Sequence, residues 1–302
     1  MTIFTIIVTY NGCKWADFCL GSLRTSTIKT IPLVIDNCST DGTLDYIREH
    51  YPEAILFPQE KNLGFGQANN VGIRYALAHG ADYCLLLNQD AAISADAIEL
   101  MLAQSDGESL VSPIHMNGDG TRLDNNFRDA TLSRCKPLLN DAFAGTLKPV
   151  YECGEVCAAC WLLPRKVIEK IGGFNPLFFH YSEDNNYYQR LVYHHIKVLL
   201  VPQARIYHDR MERGNIQVWN QQWLHNMLML TFTDINSTAG QWGNKLLSIL
   251  WTCYVPRLKN GQYKVGSFFI AICNLLCKLN RIKNSRINEK QIKANWLYNN
   301  IL

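Results

Sequence analysis

Residues 81–90, ADYCLLLNQD, constrain the fold more than any other stretch. Residues 83–87 are a continuous apolar run, the pattern of a strand buried on both faces of a sheet. The run ends in Asn88-Gln89-Asp90. A carboxylate leaving the C-terminal end of a parallel strand lies where open α/β sheets bind their ligands. A single Asp there is also an ordinary turn residue. The ligand reading is favoured by a second acidic strand exit upstream, at Asp36, and by the acidic pair Glu183-Asp184 downstream.

The chain before this stretch alternates strand and helix. Residues 3–8 form a β-branched strand that runs into Thr9-Tyr10-Asn11-Gly12, and residues 15–22 have helical character. A second strand at 32–35 ends in Asp36, followed by a loop in which Ser39, Thr40 and Asp41 are candidate N-caps for a helix at 44–50. A short strand at 54–57 follows. This rhythm implies a parallel sheet with right-handed crossovers, and so an α/β fold of Rossmann-like, nucleotide-binding type. An acid at the end of the second strand suits contact with a nucleotide's ribose or base. The dinucleotide fingerprint is missing, because the first turn reads Thr-Tyr-Asn-Gly. The approximation at 64–69 follows the third strand and lacks the third glycine, so a nucleotide binder is favoured over an NAD enzyme. Asn62-Leu63-Gly64 leads into a helix at 67–79 ending at Gly80, which puts Asn69 near a helix N-terminus where phosphate or sugar hydroxyls can be met.

After Asp90 a helix is expected at 95–104, and residues 106–150 read as an irregular polar segment. Strand character returns at 155–163, Pro164 opens a helix to 171, and Gly172-Gly173 ends it. Residues 174–181 form an aromatic loop. Ser182 is placed as N-cap of the next helix, with Glu183 and Asp184 in its first turn. A strand at 196–201 precedes Ile206-Tyr207-His208.

The 302 residues suit one large domain, or one with an appendage, and 48% hydrophobic content suffices for its core. The formal charge of +3 is unevenly spread. From residue 257 onward nine Lys/Arg face one acid, giving that tail +8 and the rest −5. No nucleic-acid partner is expected; the basic tail suits an anionic surface. Eleven cysteines, an odd number with several in apolar runs, read as free thiols in a reducing cytoplasm. No secretory signal opens the chain, and no apolar run reaches the roughly 18–20 residues that span a bilayer.

Six segments in order carry a family likeness: VTYNG at 8–12, IDNCSTDGT at 35–43, NLGFGQANNVGI at 62–73, LLLNQD at 85–90, KIGGFNPLFFHYSEDNNYYQR at 170–190, and His208. Together they resemble family 2 inverting glycosyltransferases of the GT-A fold, and most closely the bacterial rhamnosyltransferase-like branch. The resemblance implies a catalytic domain at 1–210, with a donor half to about 105 and an acceptor half after it. A helical, partly basic region at 211–302 would follow. The family's Asp-x-Asp metal motif often appears in this branch as Asn-Pro-Asp, and here Gln89 replaces the proline.

An inverting transfer is an in-line displacement at the anomeric carbon. It needs a base for the acceptor hydroxyl and charge neutralisation on the departing nucleoside diphosphate. Mg²⁺ or Mn²⁺, held by few protein groups, suits the second task. The resemblance implies Asp90 as metal ligand, with His208 as a second ligand or a diphosphate contact; an imidazole ligand favours Mn²⁺. It implies Asp184 as base, with Glu183 as competitor. It also implies Thr9, Tyr10 and Asn11 around base and ribose, Asp36, Asn37 and Asp41 beside them, Asn62, Gly64 and Asn69 toward base or diphosphate, and Asn88 and Gln89 as further nucleotide-sugar contacts. Phe174, Phe178, Phe179 and Tyr181 offer an apolar wall for a sugar face, or core.

The expected activity is transfer of a sugar, L-rhamnose from dTDP-L-rhamnose first and UDP-Gal, UDP-Glc or UDP-GlcNAc as alternatives, to a growing lipid-linked surface glycan such as O-antigen or capsule. Two other readings stand beside it. A nucleotidyltransferase needs a Gly-rich basic phosphate loop near the N-terminus, which residues 9–13 lack. A non-catalytic nucleotide-sugar scaffold would not need Asp90, Asp184 and His208 together. Cys153, Cys157 and Cys160 have the spacing of a cluster-binding motif, but they fall mid-chain where the family has a strand of small residues. Beyond residue 211, Trp219, Trp223, Trp242 and Trp251 recur among Leu and Met, residues 268–279 are apolar and residues 278–293 basic. These helices are expected to lie on the inner face of the cytoplasmic membrane, or else to pack as a bundle or a homodimer interface.

Overall fold

The computed structural model describes residues 1–210, 216–293 and 295–297, with the side chains of residues 216–221 outside the description. Trp219 therefore lies outside it. The sheet begins with β1 (Ile3–Thr9), β2 (Ile31–Asp36), β3 (Ile55–Pro58) and β4 (Tyr83–Asn88). It continues with β5 (Ala91–Ile93), β6 (Leu110–Asn117), β7 (Tyr151–Cys153), β8 (Cys160–Pro164) and β9 (Val198–His208). The strand order is β3-β2-β1-β4-β8-β6-β9-β5, with β7 on the far part of β9. The pairs among β1 to β4 are parallel, as the strand–helix rhythm implies. β8 enters antiparallel between β4 and β6, so the sheet as a whole is mixed.

Alternation along β4 explains why its sequence is apolar throughout. Cys84 and Leu86 face one core, with Phe4, Ile6, Leu33 and Ile35. Leu85 and Leu87 face the other, with Ile3, Ile7 and Val34. Each such side chain contributes about 1.5–3 kcal/mol on burial. The first core is covered by α3 (Phe65–Ala78), α7 (Arg165–Ile171) and α8 (Glu183–Tyr193). The second is covered by α1 (Ala16–Thr25), α2 (Thr43–His50) and α4 (Ala97–Ala103).

Residues 106–150 are not irregular. They hold β6, α5 (Asn125–Thr131) and α6 (Lys136–Ala144). The strand was hidden by Ser112, Pro113 and His115. All are buried: Ser112 donates to the Cys160 carbonyl at 3.1 Å, and a register shift after Pro113 absorbs the proline. That same shift makes β9 one strand where the sequence reads as two pieces.

The remaining helices are α9 (Ile216–Thr233), α10 (Trp242–Ser248) continued by a π-helical turn (Ile249–Tyr254), α11 (Val255–Lys259), α12 (Ser267–Leu276) and α13 (Leu279–Glu289). They bury their own core of Leu224, Leu228, Ile249, Tyr254, Tyr263 and Ala271. Among the described residues no helix is long and apolar enough to cross a membrane.

Candidate functional site

The C-terminal ends of β1, β2 and β4 and the N-terminal end of β8 lie along one edge, as the pairings Thr9 with Asp36, Val8 with Asn88 and Leu87 with Cys160 require. β9 ends beside them, with His208 opposite Ala91. A cleft of about 580 Å³ opens there. It brings together Tyr10, Asn37, Asn62, Gly64, Asn88, Gln89, Asp90, Glu183, Asp184 and His208 from the residues singled out in sequence. Thr9, Asn11, Asp36, Asp41 and Asn69 do not line it.

Four of them hold the loops instead, and Asn69 bonds within its own helix. Asp36 is buried and accepts from the Ser39 amide at 2.9 Å and the Ser39 hydroxyl at 2.5 Å. Asp41 accepts from the Thr43 amide at 3.1 Å and the Cys13 amide at 3.2 Å. The N-cap of α2 is Gly42, with positive φ, in place of Ser39, Thr40 or Asp41. Asn11, at φ 48°, ties its turn to the second loop: its amide donates to Ser39 Oγ at 2.9 Å and its Oδ1 accepts from the Thr40 amide at 2.8 Å. Asn69 is buried and donates to the Phe65 carbonyl within its own helix at 3.0 Å. Thr9 donates through Oγ1 to Gln89 Oε1 at 2.8 Å.

Gln89 is used as a latch. Its Oε1 accepts from the Tyr10 amide at 2.9 Å and its Nε2 donates to the Tyr10 carbonyl at 3.3 Å. The side-chain amide thus pairs with Tyr10 as a neighbouring strand would, and leaves the Tyr10 ring exposed in the cleft. Asn37 does the equivalent for the third loop, donating to the Gly64 carbonyl at 3.2 Å and accepting from the Leu63 amide at 3.1 Å.

Within the cleft Asp90 Oδ1 lies 3.1 Å from His208 Nε2. Burial raises the Asp90 carboxyl, but the His208 hydrogen bond and charge outweigh it and hold it below the ordinary carboxylate value. Asn88 Nδ2 approaches the same imidazole nitrogen at 3.4 Å, and buried Asn88 Oδ1 has no hydrogen-bond partner. Behind His208, Asp124 Oδ2 stands 3.7 Å from Nδ1 and accepts from Arg210 Nε at 2.8 Å, while Asp124 Oδ1 caps α5 through the Phe127 amide at 2.9 Å. One carboxylate, one imidazole and an unpartnered amide oxygen fit a divalent cation that takes its remaining ligands from phosphate and water. Among the described residues no three His, Cys, Asp or Glu side chains converge on one point, so any such ion draws on few protein groups.

Glu183 and Asp184 line the same cleft. Tyr181 at φ 66° and Ser182 at φ 73° turn the chain sharply into α8. Ser182 occupies the N-cap position but its side chain makes no capping bond, because its backbone is left-handed. Buried Glu183 is pushed up to about 8, by desolvation first and the Asp184 charge second. Half-buried Asp184 is pushed up to about 6, by desolvation first and the Glu155 charge second. Glu155 in turn pairs with Arg134 at 3.1 Å. Of the aromatic loop, Phe174 and Phe178 are core, while Phe179 and Tyr181 line the cleft.

Sequence reasoning missed Asp124, Glu155, Arg210, Asn126 and Trp15. Arg210 and Asn126 line the cleft, and Trp15 Nε1 donates to Asp209 Oδ2 at 3.0 Å across its rim. The one available signal was Asp124 followed by Asn125-Asn126, an N-cap pattern inside a segment read as loop. Of the cysteine motif, Cys153 and Cys160 lie in opposite cores and Cys157 lines the cleft; burial raises all three thiols.

The profile described as Glycosyl transferase family 2 matches residues 5–172. The chain is 24% identical over 236 residues to the N-acetylglucosaminyl-diphospho-decaprenol L-rhamnosyltransferase of Mycobacterium tuberculosis, covering 68% of this chain and 75% of that one. It is 23% identical over 217 residues to the dTDP-rhamnosyl transferase RfbF of Shigella flexneri, covering 68% of each. Its fold is similar to that of GalNAc-T7 solved with UDP, GalNAc and Mn²⁺, at TM-score 0.65 and 15% identity, over 100% of this chain and 56% of the other.

Proposed function

The chain belongs to glycosyl transferase family 2, and from that premise we propose that it moves L-rhamnose, with inversion, from dTDP-L-rhamnose to a growing lipid-linked glycan of the O-antigen or capsule type. The fold is GT-A and the activity a hexosyl transfer. The observation that carries the mechanism is the cleft shared by Asp90, His208 and Asp184. The similarity to two rhamnosyltransferases supports the sugar. Residues 1–210 hold the site, and the helices after them form a second unit.

In this reading Asp90 and His208 hold Mg²⁺ or Mn²⁺, with Asn88 Oδ1 beside them. When bound, the ion neutralises charge on the leaving diphosphate. Arg210, oriented by Asp124, adds a fixed positive charge on the same side. The Tyr10 ring and the loop at residues 62–64 receive the nucleoside, both held in place by amide side chains. Asp184 takes the proton of the acceptor hydroxyl. Its raised pKa lies close to neutral pH, where a general base is most effective. Burial raises the Glu183 carboxyl further than that of Asp184, which leaves the role of base to Asp184. Phe179 and Tyr181 exclude water from the sugar.

The test is thermal-shift binding of dTDP, UDP and GDP and their sugars, with and without Mn²⁺, on the native chain and on Asp90→Ala. Binding raises the melting temperature by mass action. The expected result is a Mn²⁺-dependent rise with dTDP-L-rhamnose that is lost in Asp90→Ala. A rise with a UDP sugar alone would replace the donor. No rise with any nucleotide would end the donor-site reading.

A further inference from the structure

The helices beyond β9 carry an unusual surface. From residue 216 to the end the sequence holds ten Lys/Arg and two acids, Asp234 and Glu289. Neither acid is available at the surface. Asp234 pairs with Lys245 at 3.0 Å, and Glu289 is buried against Arg190 at 3.6 Å. What this region shows to solvent is therefore cationic and apolar, with no free carboxylate among the described side chains. Lys259, Lys264, Arg281, Lys283 and Lys290 are all exposed.

The apolar part is ordered along one helix. On α12 the buried side is Ser267, Ala271 and Leu275, spaced by four and packed toward the helical cores. The opposite side carries Phe269 at 72% exposure, Ile270 at 59% and Leu276 at 56%, with half-buried Cys273 between them. At 100° per residue these fall within an arc of about 120°. Val265, just before the helix, is 82% exposed. Single exposed apolar residues are common, but a stripe of large ones is the mark of an interface.

We infer that the outer stripe of α12, with the lysines and arginines that precede and follow it in the chain, docks on an anionic lipid bilayer. The two halves of the surface fit the two halves of such a partner. Phe269, Ile270 and Leu276 enter the headgroup–acyl boundary as an interfacial helix does, and the cations meet lipid phosphates. The helix has ten residues and lies on the membrane without spanning it. The proposal deepens the reading of a lipid-linked acceptor by giving that acceptor's membrane a seat on this chain.

The experiment is flotation of the full chain with vesicles of phosphatidylcholine alone and of phosphatidylcholine with phosphatidylglycerol, with no donor or acceptor present. Leaving those out separates this result from the glycosyl-transfer reading. The native chain is expected to float with the anionic vesicles, less so as salt rises, and not with phosphatidylcholine alone. Phe269→Ser is expected to weaken binding about tenfold by removing one large apolar side chain. Lys259→Glu with Lys264→Glu is expected to abolish the preference for phosphatidylglycerol. All of these side chains are exposed, so unchanged melting temperatures check the fold of the variants. Absence of flotation, equal binding to both vesicle types, or native affinity in Phe269→Ser would overturn the proposal. So would a self-associating native chain that Phe269→Ser renders monomeric while vesicles bind neither.

Discussion

Asp184 and Glu183 are neighbours in sequence with different fates, and the difference is tertiary. Both line the cleft, but Glu183 is the more buried: a Cβ on Gly66 would touch its own at 3.6 Å, and its Oε2 has no hydrogen-bond partner. Asp184 faces the cleft and receives the Asn185 amide at 2.9 Å. The expected rate therefore climbs as pH rises through about 6, since the base works only once it has lost its proton, and levels off above. Asp184→Asn is expected to lower kcat by about 10²–10⁴ with the donor KM little changed, and to remove that acidic limb. Steady-state kinetics from pH 5 to 8 checks both. At this scale the acids of the site were legible, because acids at strand and helix ends are rare enough to notice. Their division of labour was not. Asp36, buried, and Asp41, exposed, were read as donor contacts; both lie outside the cleft lining and accept from loop amides. Whether a carboxylate meets a ligand or its own backbone depends on its rotamer and neighbours, which residue type does not encode.

At the scale of elements, the loop entering α3 shows how one glycine joins two parts of the site. Gly64 has φ 76°, and a Cβ there would lie 2.0 Å from the Phe179 carbonyl oxygen. The close approach seats the donor-side loop against the aromatic loop. Gly64→Ala is expected to cost about 1–3 kcal/mol and to raise the donor KM, because the loop must retreat from Phe179. Thermal melts and donor titration measure the two effects. The first four strands and their helices were readable from periodicity, since each buries its own stripe. β6 was not, because Ser112 finds its partner in the Cys160 carbonyl of β8, far along the chain, and His115 in turn bonds Ser112. The antiparallel entry of β8 was equally hidden, as strand direction is set by which edges meet.

Across the whole molecule, the C-terminal helices brace α8, the helix that carries Asp184. Arg190 of α8 is fully buried, donates to the carbonyls of Ile171 at 2.9 Å and Gly173 at 2.6 Å, and faces Glu289 of α13 at 3.6 Å. Asn175 donates to Glu289 Oε1 at 2.8 Å and to Ser285 Oγ at 2.7 Å, which ties in the base of the aromatic loop. Removing one partner of a buried pair strands the other, at about 3–5 kcal/mol. Glu289→Ala is expected to lower the melting temperature by several degrees and to reduce activity, although it lies far along the chain from Asp184; calorimetry and turnover check it. The sequence by itself determined the family, the parallel half of the sheet and the acids at its edge. Local spacing and strand-end chemistry suffice for these. Only the tertiary structure decided which of those acids line the cleft, that Gln89 is a latch, that Asp124 stands behind His208, and that Glu289 of the C-terminal helices grips the helix bearing Asp184. Each of these depends on contacts between residues tens to hundreds of positions apart, brought together by strand pairing and by burial of two cores at once.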